Sequence, residues 1–165
     1  MKLARYPIVF NSDSVDLGGF VEQIAPDAVD RTLQGTADVV ALRNHDSSMP
    51  LGRRSAHTLT LEKRDRGLLA TVDVNPDVTF ASDLIELIDR GDAPGGSFGF
   101  IALDDIWTMR GTTPHRTVID MVIREVSLGV AFPAYAATAL RAIEAARGRS
   151  LAFARRQQQL VRLAG

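Results

Sequence analysis

Period-two alternation of apolar and polar residues does most to narrow the folds open to this chain. "HTLTLEK" and "GLLATVDV", separated by "RDRG", alternate on either side of a turn and predict a β-hairpin. "SFGFIALDDIWTM" and "HRTVIDMVIREVSLGV" do the same across the connection "RGTTPH". Successive side chains of a strand point to opposite faces, so these runs bury an apolar face only as parts of a sheet. "RYPIVFNS" reads as a first strand, and "VDLGGFVEQI" as a turn with a second. "ADVVALRNH", rich in Val, suits a buried strand ending near His45. "HDSSMPLGRR", with its Ser, Pro and Gly, is expected to be a loop.

Helical periodicity is confined to a few separated segments. "APDAVDRTLQG" has Pro26 near its start and Gly35 at its end. In "DVTFASDLIELIDRG", Phe80, Leu84, Leu87 and Ile88 fall on one helical face, and Gly91 with Pro94 supplies the stop. "PAYAATALRAIEAARG" and "SLAFARRQQQLVRLAG" close the chain as helical segments. Many sequential strands with few helices, and no βαβ rhythm, predict a mainly β fold: an antiparallel sheet or barrel with helices packed outside.

With 165 residues the chain is expected to form one domain able to bury its own core. Cysteine is absent, which excludes a disulfide framework and a thiolate metal site. No apolar run approaches membrane-spanning length, and the N-terminal one is too short for a signal peptide, so no membrane partner is expected. The net charge of −1 is unevenly spread. Residues 141–165 carry six Arg against Glu144, or +5, so the remainder carries −6. An acidic body lacks the basic surface that phosphate contacts need, and argues against nucleic-acid binding by the core.

"APGGSFGF" contains Gly95, Ser97 and Gly99 in the Gly-x-Ser-x-Gly spacing of the hydrolase nucleophile elbow. An elbow needs a strand that turns sharply into a helix. Here a helix precedes Ser97 and a strand follows it, so the elbow reading fails. Serine can still act as a nucleophile on another scaffold, provided a base takes its proton and a third polar group orients that base. The histidines are His45, His57 and His115, and His45 sits where a buried strand meets a loop, the kind of place that sets a base beside a cleft. Glu125 shares strand parity with Ile119, Met121 and Ile123, which predicts a carboxylate on an apolar, inward face. Such a charge is costly without a partner. Spacing alone leaves the ordinary readings open: Ser97 a turn residue, His45 a satisfied strand end, Glu125 an ion pair with Arg43 or Arg124.

Four stretches, taken in order, resemble one family. "VFNSDSVDLGGFVEQIAPDAVDR", "LRNHDSSMPLGR", "LIDRGDAPGGSFGF" and "REVSLGVAFPAYAAT" are similar to segments of the tailed-phage prohead, or capsid maturation, proteases. These are serine peptidases related in fold to the herpesvirus assemblins. The resemblance implies an assemblin-like antiparallel β-barrel ringed by helices over residues 1–140, followed by a basic helical segment over 141–165. It implies His45 as base and Ser97 as nucleophile. Assemblins use a second histidine as third member, and the matching position here is Glu125. Their arginine pair has no counterpart in "AFPAYA", which leaves the oxyanion donor to backbone N–H groups, with Arg124 only a neighbour.

The family role implied is cleavage of scaffold or capsid-protein segments inside the assembling procapsid, in the host cytoplasm, with a homodimer expected by analogy. A non-catalytic assembly domain of the same fold is the alternative, favoured only by the missing arginine pair. No cofactor is called for, and the chain lacks a P-loop lysine. Without His-x-x-x-His or HExxH spacing, no metal site is expected, and Asp104, Asp105 and His115 read as a solvated turn. Trp107 reads as core or interface. The arginine-rich tail reads first as a solvated helix face and second as a tether to acidic scaffold or capsid surfaces.

Overall fold

A computed structural model describes residues 1–138, so the basic helical segment expected over 141–165 lies outside the described residues. The strands are β1 (Lys2–Val9), β2 (Val21–Ile24), β3 (Val40–Arg43), β4 (Asp46–Arg53), β5 (Leu59–Arg64), β6 (Gly67–Asp73), β7 (Gly95–Arg110) and β8 (Thr113–Val130). A 3-10 turn at Pro26–Val29 runs into the short helix α1 (Asp30–Gln34), and α2 spans Thr79–Arg90. The mainly β character read from the alternation holds, as do both hairpins.

One sheet is ordered β1-β6-β5. The other is built on β8, which carries β7 along one edge and, along the other, first β2 and then β3, with β4 outside β3. One feature of the expected fold needs correction. β2 and β3 run parallel to β8, so the fold is not purely antiparallel. The hydrogen-bonded strands form two sheets among the described residues.

Within the segment 45–54, Asp46–Arg53 forms strand β4 rather than a loop. Its Ser, Pro and Gly do not prevent pairing because β4 is an outer strand, hydrogen-bonded only to β3. Pro50, which has no N–H to donate, coincides with a register shift there. Pro7 does the same in β1, where the register to β6 breaks between Arg5 and Ile8.

The core lies between the sheets and beneath α2. It gathers Leu3 and Ile8 from β1, Leu68 and Val72 from β6, and Met121, Ile123, Val126 and Leu128 from β8. The buried stripe of α2 is Ala81, Leu84 and Ile88, with Phe80 and Ile85 packed at its margin, so the apolar face is turned slightly from the expected one of Phe80, Leu84, Leu87 and Ile88. Beyond the core, β7 presents Ile101, Leu103, Ile106, Trp107 and Met109 in exposed positions.

A bulge corrects the expected parity of Glu125. Gly99 pairs with Glu125 but Phe100 pairs with Ile123, so Arg124 is an extra residue on β8. Strict alternation from Ile123 puts Glu125 in the core. The bulge instead sends Ile123 and Val126 inward and turns Glu125 away from them.

Candidate active site

The site forms where the β3–β4 turn meets the end of β8. Arg43 pairs with Asp46, leaving Asn44 and His45 as a two-residue turn. Their φ values are 47° and 64°, both in the left-handed region. Such turns match the twist of a hairpin and favour Asn-Gly, because the second position suits a residue without Cβ. Here histidine occupies the glycine position. Holding an L-residue there costs roughly 1–2 kcal/mol, and the turn is fastened to β8 at both residues. The Asn44 N–H donates to the Leu128 carbonyl at 3.1 Å, and the His45 N–H donates to Ser127 Oγ at 2.8 Å.

This turn aims the imidazole at Glu125, with 2.7 Å between His45 Nδ1 and Glu125 Oε1. Glu125 Oε2 accepts a hydrogen bond from Ser127 Oγ at 2.7 Å. The imidazole side chain is 45% exposed and the carboxylate 15%, so the ring is reachable from solvent while its partner is largely shielded. Asp46, the next residue to His45, does not compete for the ring. Its Oδ1 accepts from Ser48 Oγ and Ser48 N, and the Ser48 hydroxyl foremost holds the Asp46 carboxyl below its usual range.

Ser97 stands on β7, directly opposite Ser127, and Gly99 stands opposite Glu125. Opposed residues of an antiparallel pair project to the same face. Ser97, Ser127 and Glu125 therefore share the face over which the His45 ring lies. Gly99 is required by close approach: a Cβ there would stand 2.8 Å from Glu125 Oε1. Of the three sequence candidates, His45 and Glu125 are in direct contact, and Ser97 sits one strand away on the same face. Neither Arg43 nor Arg124 pairs with Glu125 among the described residues. His57 lies in the turn before β5, and His115 is buried with its Nε2 3.0 Å from Asp13 Oδ1.

Sequence reasoning missed two contributors. Ser127 looked like one polar residue in an apolar strand, and Asn44 like the end of the buried strand before His45. The dipeptide Asn44-His45 carried a signal, because Asn tolerates positive φ at the first position of such turns.

A second polar cluster lies elsewhere. Buried Glu22 accepts from Tyr135 Oη at 2.7 Å and from Arg116 Nη1 at 3.0 Å, and Arg116 also donates to Asp105 Oδ2. Burial foremost, then the bond to Glu22, pushes the Tyr135 hydroxyl well above its ordinary value, keeping it a donor. Every strong group here is matched, and the cluster ties the segment after β8 to β2. Asp104 and Asp105 lie on β7, and no metal-binding group of three or more His, Asp or Glu side chains occurs among the described residues.

An imidazole oriented by a carboxylate, with a serine one strand away on the same face, offers the residue types that a serine hydrolase uses. Over residues 1–151 the chain matches the family described as caudovirus prohead serine protease, and it belongs to that family. It is a serine peptidase of the prohead type, with a role in capsid maturation. No curated protein matches the chain.

Proposed function

We propose that the chain is a serine endopeptidase that cleaves scaffold or capsid-protein segments through an acyl-enzyme on Ser97. The contact between His45 Nδ1 and Glu125 Oε1 carries this reading. With Nδ1–H held by the carboxylate, Nε2 is the ring's free acceptor. It takes the proton of Ser97 Oγ as that oxygen attacks the peptide carbonyl carbon. The C–N bond then breaks, and Nε2–H supplies the proton to the leaving amine. Water, deprotonated in its turn by Nε2, hydrolyses the ester and returns Ser97. The Glu125 carboxylate stabilises the imidazolium that forms. With Arg124 exposed and no arginine in "AFPAYA", residues 131–136, the oxyanion donors are assigned to backbone N–H groups.

The same proposal includes an assemblin-like barrel. Its support is the close approach of the sheets at two places. A Cβ on Gly96 of β7 would meet Pro7 Cα of β1 at 2.9 Å, and one on Gly52 of β4 would meet Val72 of β6 at 2.8 Å. Such close approach supports reading the two sheets as the walls of a flattened barrel. The substrates are the capsid or scaffold chains enclosed with the protease in the procapsid of the host cell, and a homodimer is carried over from the assemblin resemblance.

The test is co-expression of the chain with its capsid protein, followed by mass spectrometry of the products. The native chain is expected to yield defined fragments, and Ser97→Ala none. Identical fragments from both would remove Ser97 as nucleophile.

A further inference from the structure

We infer that Ser127 is a positioning residue: its hydroxyl joins the Glu125 carboxylate and the His45 turn into one fixed unit. The inference rests on the proposed roles of His45 and Glu125.

Ser127 is fully buried, between the core residues Val126 and Leu128. A hydroxyl in such a strand costs stability unless its bonds are made. Here both capacities are used. The single O–H donates to Glu125 Oε2 at 2.7 Å, and the oxygen accepts the His45 N–H at 2.8 Å. Glu125 is thus held at both oxygens, Oε1 by the imidazole and Oε2 by the hydroxyl, which leaves its plane one orientation. His45 is held at both ends as well, by its ring and by its backbone N–H. The second hold matters because the left-handed conformation at His45 is one the chain would otherwise relax.

A proton inventory adds a further point. Ser97 lies directly across from Ser127 on the same face. The only hydroxyl proton of Ser127 is committed to Glu125, so Ser127 has none to donate to Ser97 Oγ. The nucleophile's lone pairs are not engaged by this neighbour.

Ser127→Ala removes the donor to Oε2 and the acceptor for the His45 N–H together. Loss of alignment on the scale of an ångström costs up to about 100-fold in rate. The expected result is a fall of roughly 10- to 100-fold in kcat for processing of the chain's own capsid protein, with KM unchanged. Ser127→Thr keeps an oxygen at the same place and is expected to recover most of the rate. A second measurement does not depend on turnover. In the full chain carrying Ser97→Ala, nitrogen NMR of the His45 ring is expected to report one tautomer, protonated at Nδ1. Adding Ser127→Ala is expected to mix the tautomers and speed exchange of the Nδ1 proton, and Ser127→Thr to restore the single form. Should Ser127→Ala fail to fold, Ser127→Cys keeps the volume with a weak donor and is expected to show both effects in smaller measure.

Unchanged kcat together with an unchanged ring spectrum, in whichever of the Ala and Cys variants folds, would overturn the inference. A mixed ring spectrum alongside full processing by Ser97→Ala would instead uphold Ser127 and remove the nucleophile.

Discussion

The left-handed turn makes a prediction that distinguishes a residue retained for chemistry from one retained for folding. His45 has φ 64°, a conformation that costs an L-residue roughly 1–2 kcal/mol and glycine almost nothing. His45→Ala and His45→Gly both delete the ring and its bond to Glu125, so that loss cancels between them. What remains is the turn. Alanine keeps the strain, while glycine removes it at an unfolded-state entropy cost of about 0.5–1 kcal/mol. The net is about 0.5–1 kcal/mol in favour of glycine. At a regular helix or strand position the sign is the opposite. For a chain of this length 1 kcal/mol corresponds to about 2–4 °C in Tm, so His45→Gly is expected to melt about 1–4 °C above His45→Ala. Calorimetry in a Ser97→Ala background separates stability from activity, and processing in the Ser97 background is expected to vanish in both variants. His57, with φ 58° in the turn before β5, serves as the control: the same glycine preference, with processing retained. Equal or lower stability for His45→Gly would refute the argument from strain.

Three other outcomes follow from named contacts. Gly99→Ala places a methyl 2.8 Å from Glu125 Oε1, so the carboxylate must swing off the imidazole; processing is expected to fall about 10- to 100-fold while the melting temperature, read by calorimetry, moves little. Tyr135→Phe strips buried Glu22 of its donor at Oε1, and urea unfolding is expected to reveal a loss of about 1–3 kcal/mol. Asp38 is held below its usual range by the Arg53 guanidinium and then the Ser55 N–H. Its folded pKa lies below the unfolded value of about 3.9, so the stability it adds is present above that pH and is lost as pH falls through the folded pKa; Asp38→Asn is expected to flatten the drop in Tm between pH 5 and pH 2.

The parts legible in the sequence were those where one local pattern decides the structure. The β5–β6 and β7–β8 hairpins follow from alternation interrupted by turn residues, and α2 from its apolar stripe and Gly91, which takes φ 86° at the helix end. Ser97 and His45 were legible as types of residue at strand ends. Their grouping was legible only through the family resemblance, because it depends on β3 lying parallel beside β8, a non-local pairing that no periodicity records. β4 was illegible for another reason. An outer strand needs only one set of ladder bonds, so it tolerates the Ser, Pro and Gly that otherwise announce a loop.

Glu125 shows why the site is harder to read than the scaffold. Alternation assigns it to the core, where a carboxylate would face Met121 and Ile123 without a partner. One additional residue, Arg124, moves it to the other face, beside the one imidazole that a strained turn holds in reach. Both devices break the local rule that predicts the surrounding strands: the bulge breaks parity, and the turn puts histidine where glycine is cheaper. The turn strains its backbone, and the bulge interrupts the regular ladder. A sequence optimised for its fold alone would straighten β8 and place Asn-Gly at 44–45. The departures from pattern converge on one small patch that shares a face with Ser97, and that convergence, rather than any single motif, supports the proposal that the chemistry is done there.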